Sequence, residues 1–260
     1  MSGDLVDTGL LGPAHLPYLL RLADGSLILA QRLLEWCGHG PVLEQDIAFA
    51  NIALDLLGQA RLLYTHAGAR EGRGRDEDAF AYWRDEQAFL NPTLVELPNG
   101  DFAQSVVRTY AYVAYQHGLW PALQTSTDPA LAAIAAKSHK ETSYHVEHLE
   151  GWMIRLGDGT AESHTRMQRA LDLVWPYTTE LFTEDTVTLA VAADGLGPTT
   201  AHLAEQWTGA TQAVLATATL QAPPPSPFRS TGQQGRHSDH LGYVLLEMQA
   251  LTRAHPGARW

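Results

Sequence analysis

A chain of 260 residues with 45% hydrophobic side chains can bury one substantial core, and a single domain with appended helices accounts for that length better than two domains. Its 17 Lys+Arg against 29 Asp+Glu leave a net charge of −12, which repels a phosphate backbone and argues against general nucleic-acid binding. Cys37 is the sole cysteine, so internal disulfides and thiolate metal sites are excluded.

The opening MSGDLVDTGLLGPAH lacks the basic and apolar regions of a signal peptide, and no run approaches membrane-spanning length, so the chain is expected to be cytoplasmic with no membrane partner. A first helix is predicted over 16–37, with Pro13 and Pro17 near its start and Gly38, Gly40 and Pro41 stopping it; Gly25 is expected to loosen its first half. The next stretch, EQDIAFANIALDLLGQARLLY, is apolar on almost every helical face, which predicts a helix buried on all sides. Within it Asn51, Asp55 and Gln59 recur every four residues, so three polar groups share one stripe and require partners on facing helices.

A charged connection, REGRGRDED, leads to a shorter predicted helix, EDAFAYWRDEQAF, and then to a loop set by Asn91-Pro92 and Pro98-Asn99-Gly100, in which LVEL adds at most a brief extended piece. Asp101 is the expected N-cap of a helix to about 124, and Asp128 with Pro129 opens the helix carrying Lys137, Glu141, Tyr144, His145 and His148. The bundle core thus spans about 16–156. Appended helices over about 160–220 follow, with Thr160 or Ser163 as cap, Pro176 ending the regular part of the first, and two more over about 184–194 and 199–220. Residues 221–239, QAPPPSPFRSTGQQGRHSD, read as a Pro-rich linker before a C-terminal helix at about 240–255. The predicted fold is all-α.

Helical bundles that hold two metal ions use one Glu from each of two helices and a Glu-x-x-His pair from each of the other two. Here the paired slots read Asp55-Leu-Leu-Gly58 and Glu141-Thr-Ser-Tyr144, with both carboxylates present and both histidines missing. His145 is displaced from the expected position by roughly 100° around the helix. On the first helix Gln31 and Glu35 compete for the carboxylate slot, and on the third Tyr112, Tyr115 and Gln116 stand where a glutamate is wanted. One reading is a metal site built from Glu35, Asp55, Glu141 and His145. The other, preferred because two metals need more ionised ligands, is a buried network of Asn51, Asp55, Gln59, Lys137, Glu141 and His145, with Lys137 or a nearby Arg supplying the missing charge. Cys37 lacks an evident base and is expected to be buried, the acidic cluster Asp76, Glu77, Asp78, Asp85 and Glu86 is expected to be a solvated face, and the tryptophans are expected to be core and interface anchors.

The strings LEWCGHGPVLEQDIAFANIALDLLGQAR, GRGRDEDAFAYWRDE, VELPNGDFA, YHVEHLEGWMIRLGDGTAESHTRMQRALDLVWPYTTELF and HSDHLGYVLLEMQALTRAHPGARW resemble the PaaC family of subunits of the multicomponent phenylacetyl-CoA epoxidase. The resemblance covers nearly the whole chain in order. It implies a ferritin-like fold and a bacterial complex that converts phenylacetyl-CoA to its ring-1,2-epoxide with O₂ and NADPH. It also implies a di-iron site in a homologous sister subunit (PaaA), further subunits, and a reductase carrying flavin and iron-sulfur. On that resemblance this chain is a structural subunit that binds no cofactor of its own, in keeping with the residues at Gly58 and Tyr144. The competing expectations are an autonomous di-iron oxidase or oxygenase with an unorthodox ligand set and an acyl-CoA-binding bundle.

Overall fold

The computed structural model describes residues 14–258. In chain order its helices are α1 (His15–Leu34), α2 (Leu43–Glu71), α3 (Glu77–Tyr82), α4 (Thr93–Glu96), α5 (Phe102–Leu123), α6 (Pro129–Gly157), α7 (Ala161–Val174), α8 (Thr186–Ala193), α9 (Thr200–Thr217) and α10 (Asp239–Ala254). Among the described residues the one β feature is an isolated bridge between Thr231 and Arg236. The long helices α1, α2, α5 and α6 form a ferritin-like four-helix bundle, α1 packed along α2 and α5 along α6, while α2 and α6 meet more loosely. The remaining helices cover the bundle from the α5 side and the α1 end.

Side chains that compete with the backbone for hydrogen bonds define most helix starts. Asp101 accepts from the Gln104 amide at 3.0 Å, and Asp128 accepts from the Ala130 and Leu131 amides ahead of α6, with Pro129 in the first turn where no amide is needed. Thr160 and Ser163 cap α7 reciprocally. Pro176 turns the end of α7 into a 3₁₀ segment, Trp175–Phe182.

Several expectations are corrected. α1 stops at Leu34, and the chain turns outward over 35–39, so Cys37 is exposed rather than buried. The predicted helix at 77–89 breaks after Tyr82 because Arg84 turns inward and donates to the Phe80 and Ala88 carbonyls, using acceptors that a continuing helix would need. LVEL is helical, not extended, as the short α4. Finally, α2 is not buried on all sides: Leu43, Ile47, Asn51 and Leu54 form an exposed row, since α1 and α6 cover only its other faces.

Gly25 does not loosen α1; it admits a neighbour. A Cβ built there would lie 2.1 Å from the Tyr112 hydroxyl of α5. Gly25→Ala is therefore expected to destabilise the fold by about 1–3 kcal/mol through overpacking, measured as a lower urea midpoint at unchanged slope. Gly25→Ala combined with Tyr112→Phe, which removes the clashing oxygen, should recover most of the loss.

The segment expected to be a linker has two parts. Residues 221–230 carry no regular structure, whereas 231–238 are bound to the core through buried carboxylates. Glu180 accepts from the amides of Thr93 (3.0 Å) and Gln233 (2.7 Å), and Glu96 accepts from the Ser238 amide at 2.7 Å. His237 bridges Glu96 (3.1 Å) through Nδ1 and the Phe89 carbonyl (2.9 Å) through Nε2. Both acceptors require a donor, so the ring is an imidazolium. Burial opposes that charge, but the Glu96 carboxylate, the Phe89 carbonyl and Glu86 outweigh it and hold the pKa above its ordinary value. The folded pKa thus exceeds the unfolded one, so this contribution is fully present below about pH 6.5 and is lost as pH rises through the folded value. The expected result is a urea midpoint that falls across that window in the natural chain and is flatter there in His237→Gln.

Candidate functional site

One polar side chain from each bundle helix meets in the interior. Gln116 of α5 donates from Nε2 to Ser26 Oγ of α1 (3.1 Å) and to Gln59 Oε1 of α2 (3.3 Å). Gln59 then donates to Glu141 Oε2 of α6 at 3.4 Å, and Glu141 pairs with Lys137 Nζ at 3.3 Å one turn earlier. Ser26, Gln59 and Gln116 are fully enclosed, whereas Lys137 reaches solvent. The array runs as a chain of hydrogen bonds from the bundle axis to the α2–α6 seam. The links from Gln116 to Ser26 and Gln59 satisfy enclosed groups whose unpaired burial costs about 1–3 kcal/mol, while Gln116 Oε1 has no protein partner.

Along the same seam, His145 Nε2 donates to Asp55 Oδ2 at 2.9 Å and His148 Nε2 donates to Gln45 Oε1 at 3.1 Å. Burial, followed by the nearby His145 and Arg155, lowers the His148 pKa, so its ring is neutral at neutral pH. Asp55 is nearly half exposed at its side chain, while His145 is enclosed. The stripe read from the sequence therefore divides: Gln59 points inward, Asp55 faces the seam and Asn51 faces solvent.

The structure brings together Asp55 with His145, and Gln59 with Glu141 and Lys137. Glu35 lies elsewhere, bonded to Arg32 (2.7 Å) and to Asn99 (2.8 Å) at the end of α1. Gln31 is half-buried and takes no part in this array. Neither Gly58 nor Tyr144 occupies an inward slot: a Cβ at Gly58 would meet open space, and Tyr144 is 75% exposed. The inward positions are Gln59 and Glu141, so the register expected from Asp55-x-x-Gly58 is one residue off on α2. Ser26 was missed from the sequence; the signal for it is a lone hydroxyl within the apolar run LADGSLILA.

This arrangement does not fit a di-iron centre. Such a centre draws four carboxylates and two imidazoles from the four helices, whereas the layer here offers one carboxylate, two neutral amides and a hydroxyl. Among the described residues no group of three or more His, Cys, Asp or Glu is placed to hold a metal ion. A narrow, partly open pocket lined by Tyr18, Arg21, Tyr112 and Tyr115 has a volume of about 30 Å³, room for a water molecule but not for an aromatic substrate.

A second buried cluster was not legible as such. Asp24 of α1 is completely enclosed and accepts from Arg84 Nη1 at 3.0 Å, from Arg84 Nη2, from the Tyr64 hydroxyl and from the Leu90 amide at 2.7 Å. The Arg84 guanidinium also lies 4.2 Å from the Phe89 ring centre. Burial and then the Asp24 charge push the Tyr64 pKa far up, so Tyr64 remains a donor. All acceptor sites of the carboxylate are used, which makes this cluster structural.

The four-helix layout with an inward polar layer of Ser26, Gln59, Gln116 and Glu141 defines a ferritin-like protein. The family of phenylacetic acid catabolic proteins matches residues 11–260, and the chain belongs to that family. It is 46% identical over 243 residues to the C subunit of the 1,2-phenylacetyl-CoA epoxidase of Escherichia coli (strain K12), an alignment covering 94% of this chain and 98% of that protein. No helix among the described residues is long and apolar enough to cross a membrane.

Proposed function

We propose that this chain is the non-catalytic structural subunit of a cytoplasmic phenylacetyl-CoA 1,2-epoxidase complex in aerobic phenylacetate catabolism. In this reading it pairs with a homologous di-iron oxygenase subunit, binds no iron itself, and leaves NADPH, flavin and iron-sulfur chemistry to a reductase. The observation carrying it is the layer Ser26–Gln116–Gln59–Glu141, in which protein hydrogen bonds occupy the place where two metal ions would need ionised ligands. The similarity to an epoxidase subunit over nearly its full length supports the assignment to such a complex.

Without chemistry of its own the chain acts through its surface. Val42, Leu43, Ile47 and Leu54 leave an apolar row on the outer face of α2, and Tyr144 is exposed on α6. Long helices packed side by side through this row would form a stable interface, larger than a transient one buries. The test is co-expression with the oxygenase subunit, size-exclusion chromatography and turnover of phenylacetyl-CoA with the reductase present. The two chains should co-elute, and the oxygenase subunit should lose activity or solubility without this one. A sister subunit that is fully active alone and elutes separately overturns the proposal.

A further inference from the structure

We propose that His117 of α5 and His139 of α6 form a two-histidine site for a borderline divalent transition ion such as Zn²⁺ or Cu²⁺, on the side of the α5–α6 pair that faces α9. The ring centres lie 5.2 Å apart with planes inclined at 38°. An ion bound about 2.0–2.1 Å from an imidazole nitrogen sits roughly 3.2 Å from that ring's centre, and two such rings at a tetrahedral angle then stand roughly 5 Å apart. The observed spacing matches that requirement.

The surroundings of the two rings suit an ion as well. Nδ1 of His139 is buried and has no hydrogen-bond partner, an unsatisfied nitrogen that a metal ion would satisfy. His117 also opens onto a groove of about 440 Å³ that it lines together with His202 and Gln206 of α9. The floor of that groove is low because Ala114 and Gly118 flank His117 on α5, and the Gln206 side-chain oxygen lies 3.3 Å from a Cβ built at Gly118. An ion on His117 thus reaches solvent through this groove. Neutral imidazoles select Zn²⁺, Cu²⁺ or Ni²⁺ over Mg²⁺ and Ca²⁺, which prefer oxygen.

This site is distinct from the interior layer: Gln116 points to the bundle axis, whereas His117, the next residue, opens to the groove. It does not depend on the function proposed above. A bound ion would clamp α5 to α6 and raise thermal stability by mass action.

The test uses the full chain, freed of metal with a chelator, titrated calorimetrically with Zn²⁺ and, separately, followed by electron paramagnetic resonance with Cu²⁺. One ion per chain is expected, with a Cu²⁺ spectrum of two-nitrogen coordination and a rise in Tm. His117→Gln and His139→Gln should each weaken binding at least tenfold and abolish the Tm rise, while the exposed His39→Ala leaves both unchanged. Should His139→Gln fail to fold, His117→Gln alone decides, because His117 is only half-buried. Unchanged stoichiometric binding in His117→Gln, or only weak binding spread over several sites in the natural chain, overturns the proposal.

Discussion

Asp24→Ala is expected to cost about 3–5 kcal/mol of folding stability, the usual consequence of removing one partner from a buried ion pair. The substitution would leave the Arg84 guanidinium, the Tyr64 hydroxyl and the Leu90 amide without the acceptor they share. Arg84 is tied at the same time to the Phe80 and Ala88 carbonyls, so it cannot swing to solvent without unwinding the connection between α3 and α4. Removing both charges, as in Asp24→Leu with Arg84→Met, should recover much of the loss, because the penalty arises from the unpaired charge. Urea unfolding of the full chain at neutral pH measures both. A loss below about 1 kcal/mol for Asp24→Ala, the range of a surface salt bridge, would contradict this account of the cluster.

A second large effect is expected at the outer row of α2. Ile47 and Leu54 are 52% and 61% exposed, lie on one helical stripe with Leu43, and are not covered by another element among the described residues. The double variant Ile47→Asp with Leu54→Asp should therefore fold with an unchanged circular dichroism spectrum and urea midpoint. Its affinity for the oxygenase subunit proposed as its partner should fall about 30-fold or more, the scale of an interface hot spot, read by calorimetry or as loss of co-elution. Retention of full affinity would move the interface to another face. A large drop in the stability of the isolated chain would show instead that the row is part of the core.

Features set by short-range physics were legible in the sequence. Asp101, Asp128 and Thr160 act as caps because a carboxylate or hydroxyl next to free amides finds them whatever lies further away. Pro176 ends the regular helix for an equally local reason. Features that depend on distant partners were not. Asp24 and Arg84 are 60 residues apart, and nothing near either one names the other. The same holds for Glu96 and His237, whose contact turns an apparent linker into a docked segment. α2 read as buried throughout because its composition is apolar, yet composition does not reveal that Leu43 and Leu54 lie on a face left uncovered.

The candidate site fell between these cases. Periodicity placed Asp55, Gln59, Glu141 and His145 on the right helices, but each residue turns the helix by about 100°, so an error of one position exchanges an axial group for one at the seam. That is why Gly58 and Tyr144, expected as vacant ligand slots, face outward, while the neutral groups that fill the layer are Gln59, Gln116 and Ser26.

The central claim is that the interior layer is held by protein groups rather than by metal. Glu141 is its one carboxylate, and with Gln59 on one side and Lys137 on the other it ties α2 to α6. The most direct measurement is iron content after anaerobic reconstitution of the purified chain with ferrous iron, followed by gel filtration. It is made on the natural chain and on Glu141→Gln, each with and without the oxygenase subunit. The account predicts that the chain alone retains less than one iron, unaffected by Glu141→Gln, and that iron in the mixed complex is retained by the partner. About two irons held by the chain alone and lost in Glu141→Gln would contradict it, since the layer would then be a working di-iron site.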